Sequence, residues 1–237
     1  MPQVCVSDLP RIVPLWRLGI LVFDGFEPLD VWGFAEAFAI ARAIGKGYAD
    51  ATGALFETVL ISNETSNEAS SAASGSSPAA VKSWNGPRVA PDCFRDEALG
   101  QAFDVLMIPG GMGIRWLLSS ASHGDAHAKR ELLDWVRRMD AGVPIISSVC
   151  TGAAVLAAAG VLDGRPATTN RQSFDWVASF GPRVLWDRDS RWVDDGHCVT
   201  SAGVSAGTDM GFHLVERLAG RAVADRAVLA AEYDWRS

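Results

Sequence analysis

Short, uninterrupted apolar runs recur along this chain, and each gives way to a turn and then to residues at helical spacing. Leu18-Gly-Ile-Leu-Val-Phe23 stops at Asp24-Gly25. In Phe103-Asp-Val-Leu-Met-Ile108 the apolar run from Val105 leads into Pro109-Gly110-Gly111-Met112-Gly113, and Gly142-Val143-Pro144-Ile145-Ile146 opens a third run. A strand with one wet face alternates apolar and polar residues. A run without alternation suits a strand buried on both faces, as in a parallel sheet covered by helices. Pro28 suits a first helical turn, and Leu29, Trp32, Phe34, Ala37, Phe38 and Ala41 continue at helical spacing. Residues 125–140 read as an amphipathic helix and 152–159 as a small-residue helix. Further helices are expected at 171–179 and 207–219, with a helical tail at 221–231. Other strands are expected at 55–61 and 167–169, and as a hairpin of 191–193 with 198–200 around Asp194-Asp195-Gly196. This alternation predicts an α/β fold, a three-layer sandwich whose mostly parallel sheet carries helices on both faces. Ligands in such sheets bind beyond the carboxyl ends of the strands, at a topological switch point.

One domain over 17–231 accounts for these elements, with 1–16 as a loosely attached arm and the Ser/Ala/Asn-rich 62–80 as a surface insertion. Hydrophobic residues at 49% and charged residues at 21% exclude a disordered chain. A formal charge of −7 argues against a nucleic-acid groove and an anionic-membrane patch, both of which need clustered cations. The small-apolar run at 153–161 is too short to span a bilayer. The opening MPQVCVSDLPRIVPLWR lacks the basic-then-apolar order of a secretory signal. The expectation is a cytoplasmic protein without nucleic-acid or membrane partners.

Cys5, Cys93, Cys150 and Cys198 contain no CxxC pair, so they give neither a zinc signature nor a small disulfide framework. Cys150 stands apart by position. In Ile145-Ile-Ser-Ser-Val-Cys150-Thr151-Gly152-Ala153-Ala154 a β-branched run passes into an alanine-rich helix with almost no loop, the setting of a nucleophile elbow. A helix N-terminus there favours thiolate over thiol. The same residue also reads as a small core side chain, the usual fate of a free cysteine. The other three cysteines read as ordinary thiols.

Asp30 falls in the first turn of the helix after the first strand. If that strand neighbours the Cys150 strand, the carboxyl reaches the thiol, stays protonated and donates a proton. As a helix-start acid it also needs no further role. The 109–113 turn lacks the Walker lysine and the GxGxxG spacing. It is either a plain tight turn or a means of bringing backbone N–H groups near the nucleophile. Gly203-Val204-Ser205-Ala206-Gly207 is a second glycine-flanked loop suited to a pocket wall. His123 and His127 have i, i+4 spacing, but an isolated HxxxH is more often a surface face than a metal site, and no metal is expected. Trp32, Trp116 and Trp176 lie near candidate pocket segments, where they suit an apolar substrate or simply the core.

LGILVFDGFEPLDVWG, FDVLMIPGG, SVCTGAAVLAAAGVLDGRPATT and TSAGVSAGTDM together resemble the ThiJ/PfpI superfamily, whose domains are class I glutamine amidotransferase-like. Within it they are most similar to the isonitrile (isocyanide) hydratase branch. The resemblance implies a flavodoxin-like sandwich, a small-molecule substrate, no cofactor, and a homodimer with its active site near the subunit interface. It implies Cys150 as nucleophile, Asp30 as its acidic partner and Thr151 as the threonine after the nucleophile. Gly111 then corresponds to the oxyanion-side glycine, and Gly203 and Val204 to the loop facing the thiol. Many relatives carry histidine after Ala-Thr-Thr, where this chain has Asn170, so a Cys-His dyad is not expected. The implied reaction is cysteine-dependent addition of water to an isonitrile, giving an N-substituted formamide. Two alternatives stand beside it: a glyoxalase-type enzyme acting on an α-oxoaldehyde, and a non-enzymatic ligand- or redox-sensing module. Similar domains occur fused to DNA-binding regulators, but the residues after 219 are too few for a helix-turn-helix pair.

Overall fold

The computed structural model describes residues 15–45, 56–71 and 77–235. The arm up to residue 14, Cys5 within it, and residues 72–76 of the expected insertion lie outside the described residues. A six-stranded sheet runs in the order β2 (Phe56–Ser62), β1 (Trp16–Val22), β5 (Val105–Ile108), β6 (Ile145–Val149), β10 (Cys198–Ser201), β9 (Trp192–Asp194). All pairings are parallel except β9 with β10. β5 and β6 are buried at every position: Val105–Ile108 runs apolar without alternation, and β6 carries Ser147 and Ser148 fully buried between its apolar ends. Helices α1 (Pro28–Gly45), α8 (Ala206–Ala219) and α9 (Arg221–Ala230) pack together. Helices α4 (Gly113–Leu117), α5 (His123–Asp140), α6 (Ala153–Ala159) and α7 (Phe174–Ala178) form a second group. The fold is the expected mostly parallel, flavodoxin-like α/β sheet with helices around it. No helix among the described residues is long and apolar enough to cross a membrane.

The chain passes from β1 outward to β2 and then returns to β5 on the other side of β1, which places the switch point between β1 and β5. The carboxyl ends of β1, β5 and β6 therefore converge on one crevice. The start of α1 is fixed over it by an aromatic file: the Phe34 and Phe38 rings lie 5.1 Å apart, and Phe38 meets Phe56 of β2 edge-on at 5.1 Å.

Four features differ from the sequence expectations. The sequence placed Asp30 near Cys150 by supposing that β1 and β6 are neighbours, but β5 separates them. Within the segment expected as a bare insertion, Ser66–Ser71 form helix α2, whose Ser66 N–H donates to the Asp96 carboxylate at 2.9 Å. Asp96 lies on a further helical turn, α3 (Arg95–Ala98). A hairpin of β3 (Val81–Lys82) and β4 (Arg88–Val89) docks on the β1–α1 connection, where the Gly25 N–H donates to the Lys82 carbonyl at 2.7 Å and the Trp84 N–H to the Phe26 carbonyl at 3.0 Å. Two-residue strands leave no period to read. The same holds for β7 (Pro166–Ala167) and β8 (Leu185–Trp186), which pair in parallel apart from the main sheet.

Candidate active site

Cys150 follows β6 directly and opens a single 3₁₀ turn that leads into α6. Its φ is +58°, a left-handed conformation that costs a non-glycine residue about 1–3 kcal/mol. Neighbouring groups hold it there. The Cys150 N–H donates to the Ala202 carbonyl at 3.0 Å, and the Thr169 hydroxyl donates to the Cys150 carbonyl at 2.7 Å. The tight exit needs Gly152, since a Cβ there would lie 2.1 Å from the Ile108 carbonyl oxygen. The alanines of α6 are explained by the same close packing.

Asp30 is completely buried in the first turn of α1. It reaches the elbow across the end of β5: its Oδ2 accepts the Gly110 N–H at 2.8 Å, and a Cβ on Gly110 would crowd both that oxygen and Thr151. Oδ1 is buried and accepts no hydrogen bond from another protein group. Burial pushes the Asp30 carboxyl up to about 8, against the Gly110 hydrogen bond and the thiol contact that pull it down, and nearby Glu27 pushes it further up. At neutral pH Asp30 is thus mainly a neutral acid.

The thiol corrects one expectation. Burial, followed by the adjacent Asp30, pushes Cys150 up to about 12, so the resting group is a thiol and the short helix behind it does not make it a thiolate. Three donors face the sulfur and oppose that shift: the backbone N–H groups of Thr151 and Val204 and the Asn170 side chain. Asn170 Oδ1 accepts the Ser173 N–H at 2.9 Å, which leaves its amide N–H for the sulfur. These donors favour negative charge on sulfur once it develops.

Thr151, Gly111 and Val204 line the same cavity as the thiol, whose volume is about 250 Å³. The Gly111 N–H already donates to the Thr151 hydroxyl at 3.2 Å, as Gly110 does to Asp30, so the donors turned to sulfur come from Thr151 and Val204 instead. Gly203 stands behind the cavity, where it leaves space for the Asn170 amide. Val204 has φ +41°, and its loop is held from below. Arg191 pairs through Nε with the fully buried Asp209 of α8, and its Nη2 donates to the Ser205 hydroxyl at 3.2 Å.

Of the three expected tryptophans only Trp176 lines this cavity. Trp32 and Trp116 are substantially exposed and lie elsewhere, on neither the cavity wall nor the core. Trp84, Met112, Arg115 and Gln172 also line the walls and were not anticipated. They sit on short or irregular elements, and only the glycine turn beside Met112 signalled any of them. Cys93 and Cys198 are buried, away from this cavity. Three of the four histidines pair with acids elsewhere: His127 with Glu131, His197 with Asp140 and His213 with Asp194. Among the described residues no cluster of three or more metal-ligating side chains occurs.

Comparisons with known proteins bear on the family and the fold. A protein of Pseudomonas putida named isonitrile hydratase is 35% identical over 130 residues, covering 55% of this chain and 52% of that protein. The match therefore spans about half the length of that relative. The glutathione-independent glyoxalase DJR-1.2 of Caenorhabditis elegans is 30% identical over 146 residues, 62% of this chain and 72% of that protein. The crystal structure of a ThiJ/PfpI family protein from Pseudomonas syringae superposes with a TM-score of 0.71 at 24% identity, covering 100% of this chain and 83% of that one, and it shares the fold. The model of the DJ-1/PfpI family matches residues 17–217, and the chain belongs to that family.

Proposed function

We propose that this chain is a cysteine-dependent hydratase that adds water to the terminal carbon of a small isonitrile and releases an N-substituted formamide. The observation that carries the reading is a Cys150 thiol on left-handed backbone, lining a small cavity, with the fully buried Asp30 carboxyl alongside it. Sulfur bonds to the isonitrile carbon while Asp30 delivers a proton to that carbon and takes up the thiol proton, giving a thioimidate. Water then adds to the same carbon, Asp30 passes a proton to nitrogen and receives one from water, and the C–S bond breaks. The remaining hydroxyl proton passes to the departing sulfur, so the formamide leaves and the thiol is restored. Thr151 and Val204 N–H groups, with Asn170, stabilise negative charge on sulfur during attack and departure. The named activity of the Pseudomonas putida relative supports this substrate class. Residues of one protomer supply every group invoked, so the expected homodimer is compatible with the scheme but not needed by it.

A glyoxalase reading draws on the Caenorhabditis elegans relative, with the same thiol attacking an α-oxoaldehyde. Parallel kcat/KM measurements on an alkyl isonitrile and methylglyoxal discriminate the two. Intact-mass detection of a thioimidate on Cys150 is expected with the isonitrile. A protein that turns over only methylglyoxal overturns the hydratase assignment.

A further inference from the structure

Arg115 lines the Cys150 cavity from α4, and its guanidinium stacks 4.4 Å over the Trp176 ring of α7. Stacking fixes the plane of the group and leaves its edge N–H donors for a partner in that plane. No such partner is present. Among the described residues Arg115 makes no ion pair, whereas Arg17, Arg137, Arg165, Arg191 and Arg217 are each matched to a carboxylate. Other exposed arginines among the described residues, Arg130 and Arg138 included, also make no ion pair; what sets Arg115 apart is its stack on Trp176 at the wall of the Cys150 cavity.

The acid on the cavity wall, Glu27, belongs to the other side of the chemistry. It comes from the β1–α1 connection and lies close enough to Asp30 to raise its pKa. The cavity wall thus carries an acid near the proton donor, Glu27, and a cation stacked on tryptophan, Arg115, with the neutral amide of Gln172 also on the wall. We propose that Arg115 recognises an anionic group, so that the site takes small electrophiles bearing a carboxylate a few bonds from the carbon that Cys150 attacks. A bidentate guanidinium–carboxylate contact supplies both affinity and orientation. The cavity, at about 250 Å³, limits the spacing between the two ends to a few bonds. This inference rests on the Cys150 cavity being the substrate site and deepens that reading.

The test separates binding from turnover. N-formylglycine and its methyl ester, unreactive formamides of matched size, are titrated calorimetrically into the wild-type protein and into Arg115→Ala, Arg115→Gln and Arg115→Lys. The acid is expected to bind the wild type at least about tenfold more tightly than the ester, as a charge-assisted pair should. The ratio should fall towards one in the Ala and Gln variants and be partly kept by Lys. A wild-type ratio near one, no measurable binding of either compound, or a ratio unchanged in Arg115→Gln overturns the proposal. Turnover of isocyanoacetate and its methyl ester is followed in parallel. An intact binding ratio without turnover of either compound removes the hydratase reading and leaves Arg115 standing. Equal turnover of both with no binding preference does the reverse.

Discussion

Cys150 and Cys198 are two buried thiols, and burial pushes both up to about 12. The difference between them lies in what faces the sulfur. Cys198 sits inside β10 with no exposed surface, and its thiol points toward the Val161 carbonyl at 3.9 Å, a long and weak contact to an acceptor. Cys150 sits on a left-handed residue with two backbone N–H groups and an amide turned toward it and a neutral acid alongside. An acceptor stabilises the thiol, whereas donors stabilise the sulfur anion as it forms. A perturbed pKa therefore does not distinguish the candidate nucleophile from a core cysteine. The sign of the surrounding hydrogen bonds does.

The comparison is broken most directly at sulfur. Cys150→Ser is expected to lower hydratase kcat by about a thousandfold or more, because the alkoxide is far harder to reach than the thiolate. Cys198→Ala should leave kcat/KM within about twofold and cost about 1–2 kcal/mol of stability from the small cavity it creates. Steady-state kinetics and chemical denaturation of the two variants read both effects. Comparable activity losses in both would erase the distinction.

Next in size is Asp30. Asp30→Asn keeps an acceptor for the Gly110 N–H but removes the transferable proton, so a loss of about 10²–10⁴ in kcat is expected. Wild-type turnover should decline as pH rises through about 8, where the carboxyl ionises. Stability carries the same signature. Because the folded carboxyl holds its proton to a higher pH than the unfolded one, the folded state binds more protons between about 4 and 8. Stability associated with Asp30 is therefore full at the acid end of that window and is lost as pH rises through it. Thermal melts at pH 5 and pH 8 should show a smaller fall in Tm for Asp30→Asn than for the wild type.

Smaller effects sharpen the role of the donors. Arg191→Lys keeps the charge beside Asp209 but lacks the planar fork that also reaches Ser205, so the Val204 N–H should be held less firmly. A loss of about tenfold in kcat/KM is expected, carried mainly by kcat, with far-ultraviolet circular dichroism unchanged. Asn170→Ala removes the side-chain donor while both backbone donors remain, and a loss of about fivefold is expected. Iodoacetamide labelling followed by mass spectrometry gives an independent measure: both variants should slow modification at Cys150.

Much of the framework was legible because parallel strands buried on both faces leave uninterrupted apolar runs, as at 18–23 and 105–108. The elbow was legible for a related reason: Val149 to Ala154 passes from strand to helix without loop residues, and only small side chains fit the exit. Asp30 was reached by an incorrect local premise and a correct resemblance. No pattern in one sequence announces that β5 separates the acid from the thiol, since strand order is set by long-range packing. Trp84 and Arg115 were not legible as cavity residues. One lies in a turn between two-residue strands and the other in a five-residue helix, and neither element has a period to read. The sign of the Cys150 shift was missed because it depends on burial, which outweighs the N–H groups that sequence position suggested.

The reach of Asp30 across Gly110 has a consequence for how the protein acquires activity. Acid and thiol are 120 positions apart and meet only when α1, the end of β5 and the elbow have all docked. A partly assembled chain, whether emerging from synthesis or refolding from denaturant, exposes a cysteine of ordinary reactivity with no proton donor beside it. Under the proposed mechanism chemistry is thereby confined to the finished molecule, and turnover is expected to return only once all three have docked.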